Sequence, residues 1–290
     1  MTQSFDPSVL GAADAWRAGS VALAAIDPDG LAAVHGPIDS PRPWASVTKL
    51  ITGYVALVAV ERGVLALDEP AGPPGATVRH LLAHASGLAF DDPSVISPPG
   101  RTRIYSNAGF DVLAAVVETR AGRPFPALLR EWILGPLGMS GTSLVGRPSQ
   151  GLAGPIVDLA VFALELLRPR VVPAAALAAA TTVAFPGLRG VLPGVGRFDP
   201  LDWGLGFEIR DGKAPHWTGT GNSPRTFGHF GASGAFLWVD PDAGVALACL
   251  PEREFGPWAL EAWPSLSDAV LRAHARGLFH GDFTQEAPAP

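Results

Sequence analysis

Hydrophobic and polar positions change their spacing along the chain. Two short apolar runs at 20–35, SVALAAIDPDGLAAVH, surround the turn residues DPDG at 27–30 and predict a β-hairpin. After the proline-containing loop at 40–43, apolar residues recur at helical spacing, and Gly63 can end a helix. These positions are Val47, Leu50, Ile51, Tyr54, Val55, Val58 and Ala59. We therefore predict a helix over about 46–62.

The remaining pattern is helical in the middle of the chain and strand-like later. From 77 to about 170 most segments have helical spacing, whereas WGLGFEI, GAFLWVD and VALACL after Leu201 are typical of antiparallel strands. The segment GPWALEAWPSLSDAVLRAHARGLF predicts a closing helix, followed by a polar tail. Pairing of the terminal strands predicts one antiparallel sheet with a helical insertion and a cleft between the two parts. We expect a sheet subdomain at 1–62 and 190–290, a helical subdomain at 63–189, and one functional unit.

Composition and charge narrow the class of protein. The 290 residues are 48% hydrophobic, which is enough for a large core, and the formal charge of −6 with 21 basic residues argues against a nucleic-acid partner. The start lacks the basic and apolar regions of a secretion signal, and no apolar stretch approaches the ~20 residues that span a bilayer. We expect a cytoplasmic protein with no membrane partner. The single cysteine, Cys249, lies in an apolar run and predicts a buried thiol without a catalytic role. The oligomeric state is left open.

The first motif that could take part in catalysis is Ser46-Val47-Thr48-Lys49, at the start of the predicted helix. A spacing of three puts Ser46 and Lys49 on one helix face. A serine hydroxyl needs an adjacent base to become a nucleophile, and a helix N-terminus offers N–H groups to an oxyanion. The alternative is a helix-capping serine followed by a solvated lysine.

Two further motifs lie later in the chain. Tyr105 and Asn107 stand in RTRIYSNAGFDVLAAVVE, just before an apolar helix; a phenol can exchange protons, and an amide can bind an ester or amide group. The alternative is Asn107 as a helix cap with Tyr105 packed beneath it. His229 stands in TFGHFGASGAF among small residues that would let a second backbone approach a strand closely, although a histidine in a strand is usually structural.

In this order, Ser-x-x-Lys, Tyr-x-Asn and His-x-Gly resemble the motifs of the serine β-lactamase and penicillin-binding-protein superfamily, nearest its class C-like branch. The segments HLLAHASGL, GPLGMSGTSL and WVDPDAG add to the resemblance, which covers about residues 20–275. It implies an α/β (α+β) fold class of the β-lactamase/transpeptidase type, with an antiparallel sheet flanked by helices and an inserted all-helical subdomain. It also implies an enzyme without a cofactor or metal.

The resemblance implies roles residue by residue. Ser46 would form the acyl-enzyme, Lys49 and Tyr105 would share proton transfer, and Asn107 would bind the substrate's ester or amide group. His229 and Gly231 would line the substrate site, and the N–H groups of Ser46 and Ala232 would form the oxyanion hole. Which of Lys49 and Tyr105 is the acylation base stays open at this point.

The third motif departs from many β-lactamases. His229 stands where a lysine is common, and Phe230 where a small hydroxyl residue is usual. An imidazole with an ordinary pKa near ~6.5 is mostly neutral above pH 7, so attraction for an anionic substrate is weaker. This favours small esters or amides as substrates, with a β-lactamase or D-Ala-D-Ala peptidase as the alternative and a non-catalytic ligand-binding or sensor module as the alternative of another class.

The sequence gives less support to two other hypotheses, a zinc site at His80 and His84 and a nucleophile at Ser233. His80 and His84 have a spacing at which a helix can bind zinc, but the glutamate of the usual protease motif and an obvious third ligand are missing. Ser233 in GASGA fails the G-x-S-x-G pattern at its last position, and the strand continues instead of turning into a helix. We expect neither a metal site nor a nucleophile there.

Overall fold

The two ends of the described chain meet in one antiparallel sheet. The structure is a computed structural model that describes residues 8–275, so the predicted polar tail lies outside the described residues. The six-stranded sheet has the order β2-β1-β11-β10-β9-β8. Its strands are β1 (Val21–Asp27), β2 (Gly30–His35), β8 (Glu208–Ile209), β9 (Phe227–Phe230), β10 (Phe236–Asp240) and β11 (Val245–Pro251).

The predicted hairpin at the start of this sheet is confirmed. Strands β1 and β2 pair antiparallel, and the Asp27 carboxylate accepts the N–H groups of Asp29 at 2.8 Å and Gly30 at 3.1 Å. Asp27 thereby closes the turn with its own side chain. The pairing of β1 with β11, in which Leu23 lies opposite Cys249, joins the first and last strands of the described chain as predicted.

Helices cover both faces of the sheet. They are α1 (Ser8–Gly11), α2 (Thr48–Glu61), α3 (Val78–Leu82), α4 (Asn107–Ala121), α5 (Phe125–Leu129), α6 (Gly135–Leu137), α7 (Ile156–Leu167), α8 (Ala174–Ala180) and α9 (Pro257–Ala275). Short 3-10 turns occupy Ala12–Trp16 and Ala45–Val47, and a π-helical turn occupies Arg130–Leu134. Helices α2 and α7 belong to the core on one face of the sheet, and α9 belongs to the core on the other. The sheet is therefore buried on both faces, which explains the continuous apolar runs of β1 and β11.

Helix α2 lies at the centre of the molecule. Every residue from Thr48 to Ala59 is buried, and Gly53 packs so closely on Gly206 that a methyl group on Gly53 would lie 3.0 Å from the Gly206 Cα. The predicted helix over about 46–62 is thus correct in its main part, with its first turn replaced by the 3-10 turn Ala45–Val47.

The prediction of a strand from WGLGFEI was wrong for most of that segment. Only Glu208–Ile209 joins the sheet, as β8. Gly206 adopts a φ of 96°, which breaks the extended run, and its close contact with Gly53 packs the segment against α2. The alternating pattern reflects packing on a helix.

Two small sheets complete the architecture. Strands β3 (Arg42–Pro43), β4 (Ser143–Leu144) and β5 (Leu152–Gly154) form one, and the hairpin of β6 (Gly190–Leu192) and β7 (Gly196–Phe198) forms the other. The first joins the chain just before Ser46 to the inserted region. The expected division at 63–189 stays a prediction. Within residues 8–275, no helix is long and apolar enough to cross a membrane.

Candidate active site

Ser46 lies in the 3-10 turn Ala45–Val47, directly before α2. Trp44 fixes this turn, because its backbone N–H donates to the Leu152 carbonyl at 2.9 Å and its indole N–H donates to the Gly154 carbonyl at 3.0 Å. The Ser46 side chain makes no capping hydrogen bond to the helix. Its hydroxyl is therefore not occupied by the capping role that the sequence left open.

Lys49 is fully buried one helical turn further on. Its Nζ lies 3.1 Å from Ser46 Oγ, 2.6 Å from Asn107 Oδ1 and 2.9 Å from the Ser149 carbonyl oxygen. Burial is the main reason that the pKa of Lys49 falls from 10.5 to about 7, and the nearby carboxylate of Asp111 opposes this shift. The alternative of a solvated lysine does not hold. This amine can take up or release a proton near neutral pH.

Asn107 is the first residue of α4 and not its cap. Ser106 caps the helix by accepting the Gly109 N–H at 2.9 Å, so the interpretation of Asn107 as the cap was wrong. The Asn107 amide is free to bridge α2 and a loop: its oxygen accepts from Lys49, and its Nδ2 donates to the Asp91 carboxylate at 3.2 Å. Since a carboxylate only accepts, this contact fixes the orientation of the amide.

Tyr105 is held from two sides. Two residues earlier, the buried Arg103 donates to the carbonyls of Ala83, Ala184 and Leu201, which anchors the loop. The ring of His84 packs on the Tyr105 ring at a centroid distance of 4.6 Å. Burial raises the pKa of the Tyr105 phenol, and a hydrogen bond with Ser46 opposes this. The phenol is therefore neutral at pH 7 and able to donate its proton.

His229 lies on β9, opposite Leu237 of β10. Its Nε2 lies 2.8 Å from the Tyr105 hydroxyl, while its Nδ1 is buried without a hydrogen-bond partner among the described residues. Burial, with the nearby positive charge of Lys49, lowers the pKa of His229 to about 3. The imidazole is neutral at pH 7, so the wall of the site at this position carries no charge.

Gly231 brings the end of β9 against the turn that carries Ser46. A Cβ on Gly231 would lie 2.6 Å from the Trp44 carbonyl oxygen and 2.8 Å from the Ser46 nitrogen, so only glycine permits this approach. The N–H groups of Ser46 and Ala232 donate to no other group of the described chain. An oxyanion hole requires two N–H groups that are free to donate, and Ser46 and Ala232 line the same cavity.

A cavity of about 200 Å³ opens onto these groups. It is lined by Ser46, Phe90, Tyr105, Pro193, Gly194, His229, Phe230, Ala232 and Phe255. Of the seven residues expected at the site from the sequence, Ser46, Tyr105, His229 and Ala232 line this cavity. Lys49 and Asn107 lie behind Ser46 in the first turns of α2 and α4, and Gly231 follows β9. The walls are mostly apolar, which suits a small uncharged acyl group.

The sequence did not reveal the loop residues that hold Lys49 and Asn107. Arg147 pairs with Asp91 at 2.7 Å and with Asp111 at 2.6 Å, and Asp111 also accepts the N–H of Ser149, whose carbonyl binds Lys49. These residues come from three separate segments and form no motif. Their only sequence signal was charge in otherwise apolar surroundings.

The other two candidate groups have different surroundings. His80 Nδ1 accepts the Thr77 N–H at 3.2 Å, and His84 Nδ1 accepts the Ser106 N–H at 3.0 Å. No three His, Cys, Asp or Glu side chains within residues 8–275 are grouped to hold a metal ion. Ser233 lies between β9 and β10, and its buried hydroxyl has no hydrogen-bond partner in the described chain. It therefore lacks the base that a nucleophile needs.

Comparison with known proteins identifies the family. The family model described as Beta-lactamase matches residues 14–269. A crystal structure of a beta-lactamase from Mycobacterium bovis, Mb2281c, is similar with a TM-score of 0.91 and 53% identity, over 92% of this chain and 99% of that one. The chain belongs to the beta-lactamase family, and so to the serine β-lactamase and penicillin-binding-protein superfamily that its motifs resemble. The predicted fold class is confirmed.

Curated relatives match over a shorter part. The D-alanyl-D-alanine-carboxypeptidase/endopeptidase AmpH of Escherichia coli K12 is 28% identical over 154 residues, which is 40% of each chain. Esterase EstB of Burkholderia gladioli is 31% identical over 161 residues, 39% of this chain and 41% of the esterase. The match thus spans about two fifths of these relatives.

Proposed function

We propose that this chain is a serine acyl hydrolase that forms an acyl-enzyme at Ser46 and cleaves small esters or amides, with esters preferred. The observation that supports this most directly is the buried Lys49, whose Nζ lies 3.1 Å from Ser46 Oγ and whose pKa is about 7. A general base works best when its pKa lies near the working pH. An amine buried beside a serine hydroxyl is otherwise costly to keep in a fold.

The geometry supports a division of labour between Lys49 and Tyr105. Lys49 takes the Ser46 proton as Oγ attacks the substrate carbonyl, and the N–H groups of Ser46 and Ala232 hold the resulting oxyanion. Tyr105, whose phenol keeps its proton at neutral pH, donates to the leaving oxygen or nitrogen. The Lys49 proton restores the phenol, and water then cleaves the acyl-enzyme by the same transfers in reverse. In this proposal the acylation base is Lys49.

The neutral wall at His229 supports esters over substrates with a carboxylate beside the reacting bond. His229 has a pKa of about 3, and the neighbouring Phe230 offers no hydroxyl. The name of the EstB relative agrees with this assignment. The name of AmpH supports the alternative, a D-Ala-D-Ala peptidase, and the family supports a β-lactamase.

The proposal is tested with two substrates and one variant. We expect short-chain p-nitrophenyl esters to be hydrolysed with a higher kcat/KM than a chromogenic cephalosporin at pH 7.5, and Ser46→Ala to lose turnover while it keeps the wild-type melting temperature. A higher kcat/KM for the cephalosporin than for the esters would refute the preference for esters. Retained activity in Ser46→Ala would remove the mechanism.

Covalent labelling separates the enzyme from the non-catalytic alternative. After incubation with a fluorophosphonate, intact-mass analysis should show one adduct in the wild type and none in Ser46→Ala. A penicillin adduct that never turns over would indicate a sensor. An absence of any adduct would indicate a binding module.

A further inference from the structure

A second and larger cavity adjoins the one at Ser46. Its volume is about 490 Å³, within the range of about 300–1,000 Å³ that small-molecule sites occupy. Phe90, Tyr105 and Pro193 line both cavities, so they form the neck between them. Tyr105 is the one group of the proposed proton-transfer machinery that faces both spaces.

One wall of this second cavity is the β6–β7 hairpin. Val191 lies opposite Arg197, and Gly190 lies opposite Phe198, while Arg189 directly precedes β6 and Asp199 directly follows β7. Arg189, Val191, Arg197 and Asp199 all line the cavity. The hairpin therefore contributes two arginines and one aspartate to the lining of this cavity, together with Gly190 and Phe198.

Neither guanidinium group has an ion-pair partner in the part of the chain that the structure describes. By contrast, Arg147 binds two carboxylates, those of Asp91 and Asp111. The wall thus carries a net positive charge even with Asp199 counted. Phe90 and Val191 add apolar surface, since 51% and 47% of their areas are exposed although both are large and hydrophobic. The cavity combines an apolar surface with a cationic rim.

We propose, on the basis of the serine hydrolase function above, that this second cavity binds the leaving group of the substrate and prefers an apolar or aromatic alcohol that carries an anionic group. Arg189 and Arg197 bind the anion, and Phe90 and Val191 contact the apolar part. Ser46 and Ala232 line only the smaller cavity, whereas Tyr105 lines both, so an ester whose departing oxygen contacts Tyr105 can keep its acyl group beside Ser46 and place its alcohol part in the larger cavity. Anion recognition in this chain is thereby carried by the hairpin and not by His229.

The reaction on such a substrate needs water as its only other reactant. Ser46 Oγ passes its proton to Lys49 and forms a bond to the acyl carbon. The bond from that carbon to the alcohol oxygen breaks, and the alcohol oxygen leaves with a proton from Tyr105, which regains one from Lys49. Water then attacks the acyl carbon and releases the acid. Only the alcohol part occupies the second cavity.

Two esters with the same acyl group test the proposal: 4-acetoxybenzoate, which has an anionic leaving group, and 4-acetoxybenzamide, which has a neutral one. The double variant Arg189→Gln/Arg197→Gln should lose about tenfold in kcat/KM on the benzoate, equal to ~1.4 kcal/mol, and stay within about twofold on the benzamide. The ratio of kcat/KM between the wild type and the double variant is taken for each ester separately, so the different reactivity of the two leaving groups cancels. Asp199→Asn should act in the opposite direction and raise kcat/KM on the benzoate.

The control variant is Arg130→Gln, which removes an exposed arginine from a different pocket and should leave both esters unaffected. An equal loss on both esters, or no loss on either, would overturn the inference. A selective loss on the mono-p-nitrophenyl ester of glutarate, whose carboxylate is on the acyl side, would overturn the assignment to the leaving group. If the wild type fails to cleave even the neutral benzamide, the proposed function itself fails, and the two failures stay distinguishable.

Discussion

The ionisation of Lys49 should set the pH dependence of the reaction. Burial lowers its pKa from 10.5 to about 7, which corresponds to about 5 kcal/mol less stabilisation of the charged amine than in water. Because the proposed base is the neutral amine, activity should rise with pH through this value. The neutral fraction is about one tenth at pH 6, one half at pH 7 and nine tenths at pH 8.

The assay is kcat/KM for a p-nitrophenyl ester between about pH 5.5 and 9, because this ratio reports the pKa values of the free enzyme. We expect an acid limb centred near pH 7 and about a tenfold increase from pH 6 to pH 8. Asp111→Asn removes the largest charge effect that raises the pKa of Lys49, so the limb should move to lower pH. Asparagine can still accept the Ser149 N–H, which makes the variant conservative.

Asp242→Asn is the matched control. Asp242 pairs with Arg225 in the turn between β10 and β11 and is not among the groups that shift the pKa of Lys49. Its loss should leave the pH profile unchanged. A flat wild-type profile between pH 6 and pH 8, or a limb that moves to higher pH in Asp111→Asn, would refute the role of Lys49 as the base.

Two substitutions test the other parts of the site. Tyr105→Phe removes the proposed proton donor to the leaving group and should lower kcat for an alkyl ester at least about 100-fold, with labelling of Ser46 by a fluorophosphonate retained; unchanged turnover would contradict the role of the phenol. Gly231→Ala adds a methyl group 2.6 Å from the Trp44 carbonyl oxygen, so β9 must move away from the oxyanion hole, and kcat/KM should fall by about 10²–10³. Gly212→Ala, where nothing lies within 4 Å of the added methyl, is the control, and equal kinetics in the two alanine variants would contradict the argument.

Much of the fold could be predicted because buried helices and strands have recognisable patterns of apolar residues. Strand β11 is buried along its whole length and is a continuous apolar run, and helix α2, which is buried from Thr48 to Ala59, has apolar residues at helical spacing. The segment WGLGFEI misled the prediction because apolar alternation is the same for a strand and for an irregular segment packed on a helix. The contact of Gly206 with Gly53 joins residues far apart in the chain, and no local pattern announces it.

The site could be predicted only in part, for a similar reason. Ser46, Lys49, Tyr105, Asn107 and His229 stand in short motifs whose order along the chain is informative. The network that supports them has no motif, since it joins Asp91, Asp111 and the loop at 147–149 through charge and backbone contacts. The same holds for the cationic hairpin at 189–199, where the pairing of two short strands brings both arginines to the lining of one cavity.

The three hydrogen-bond acceptors around Lys49 determine from which group the neutral amine can take a proton. The charged amine has three N–H groups, one each for Ser46, Asn107 and Ser149. After one proton is lost, a lone pair must point at one of these partners. The Asn107 amide oxygen and the Ser149 carbonyl oxygen carry no hydrogen to give, whereas the Ser46 hydroxyl does. The two carbonyl groups thus keep the two N–H groups of the neutral amine as hydrogen-bond donors, and its lone pair is directed toward the Ser46 hydroxyl without any movement of the backbone.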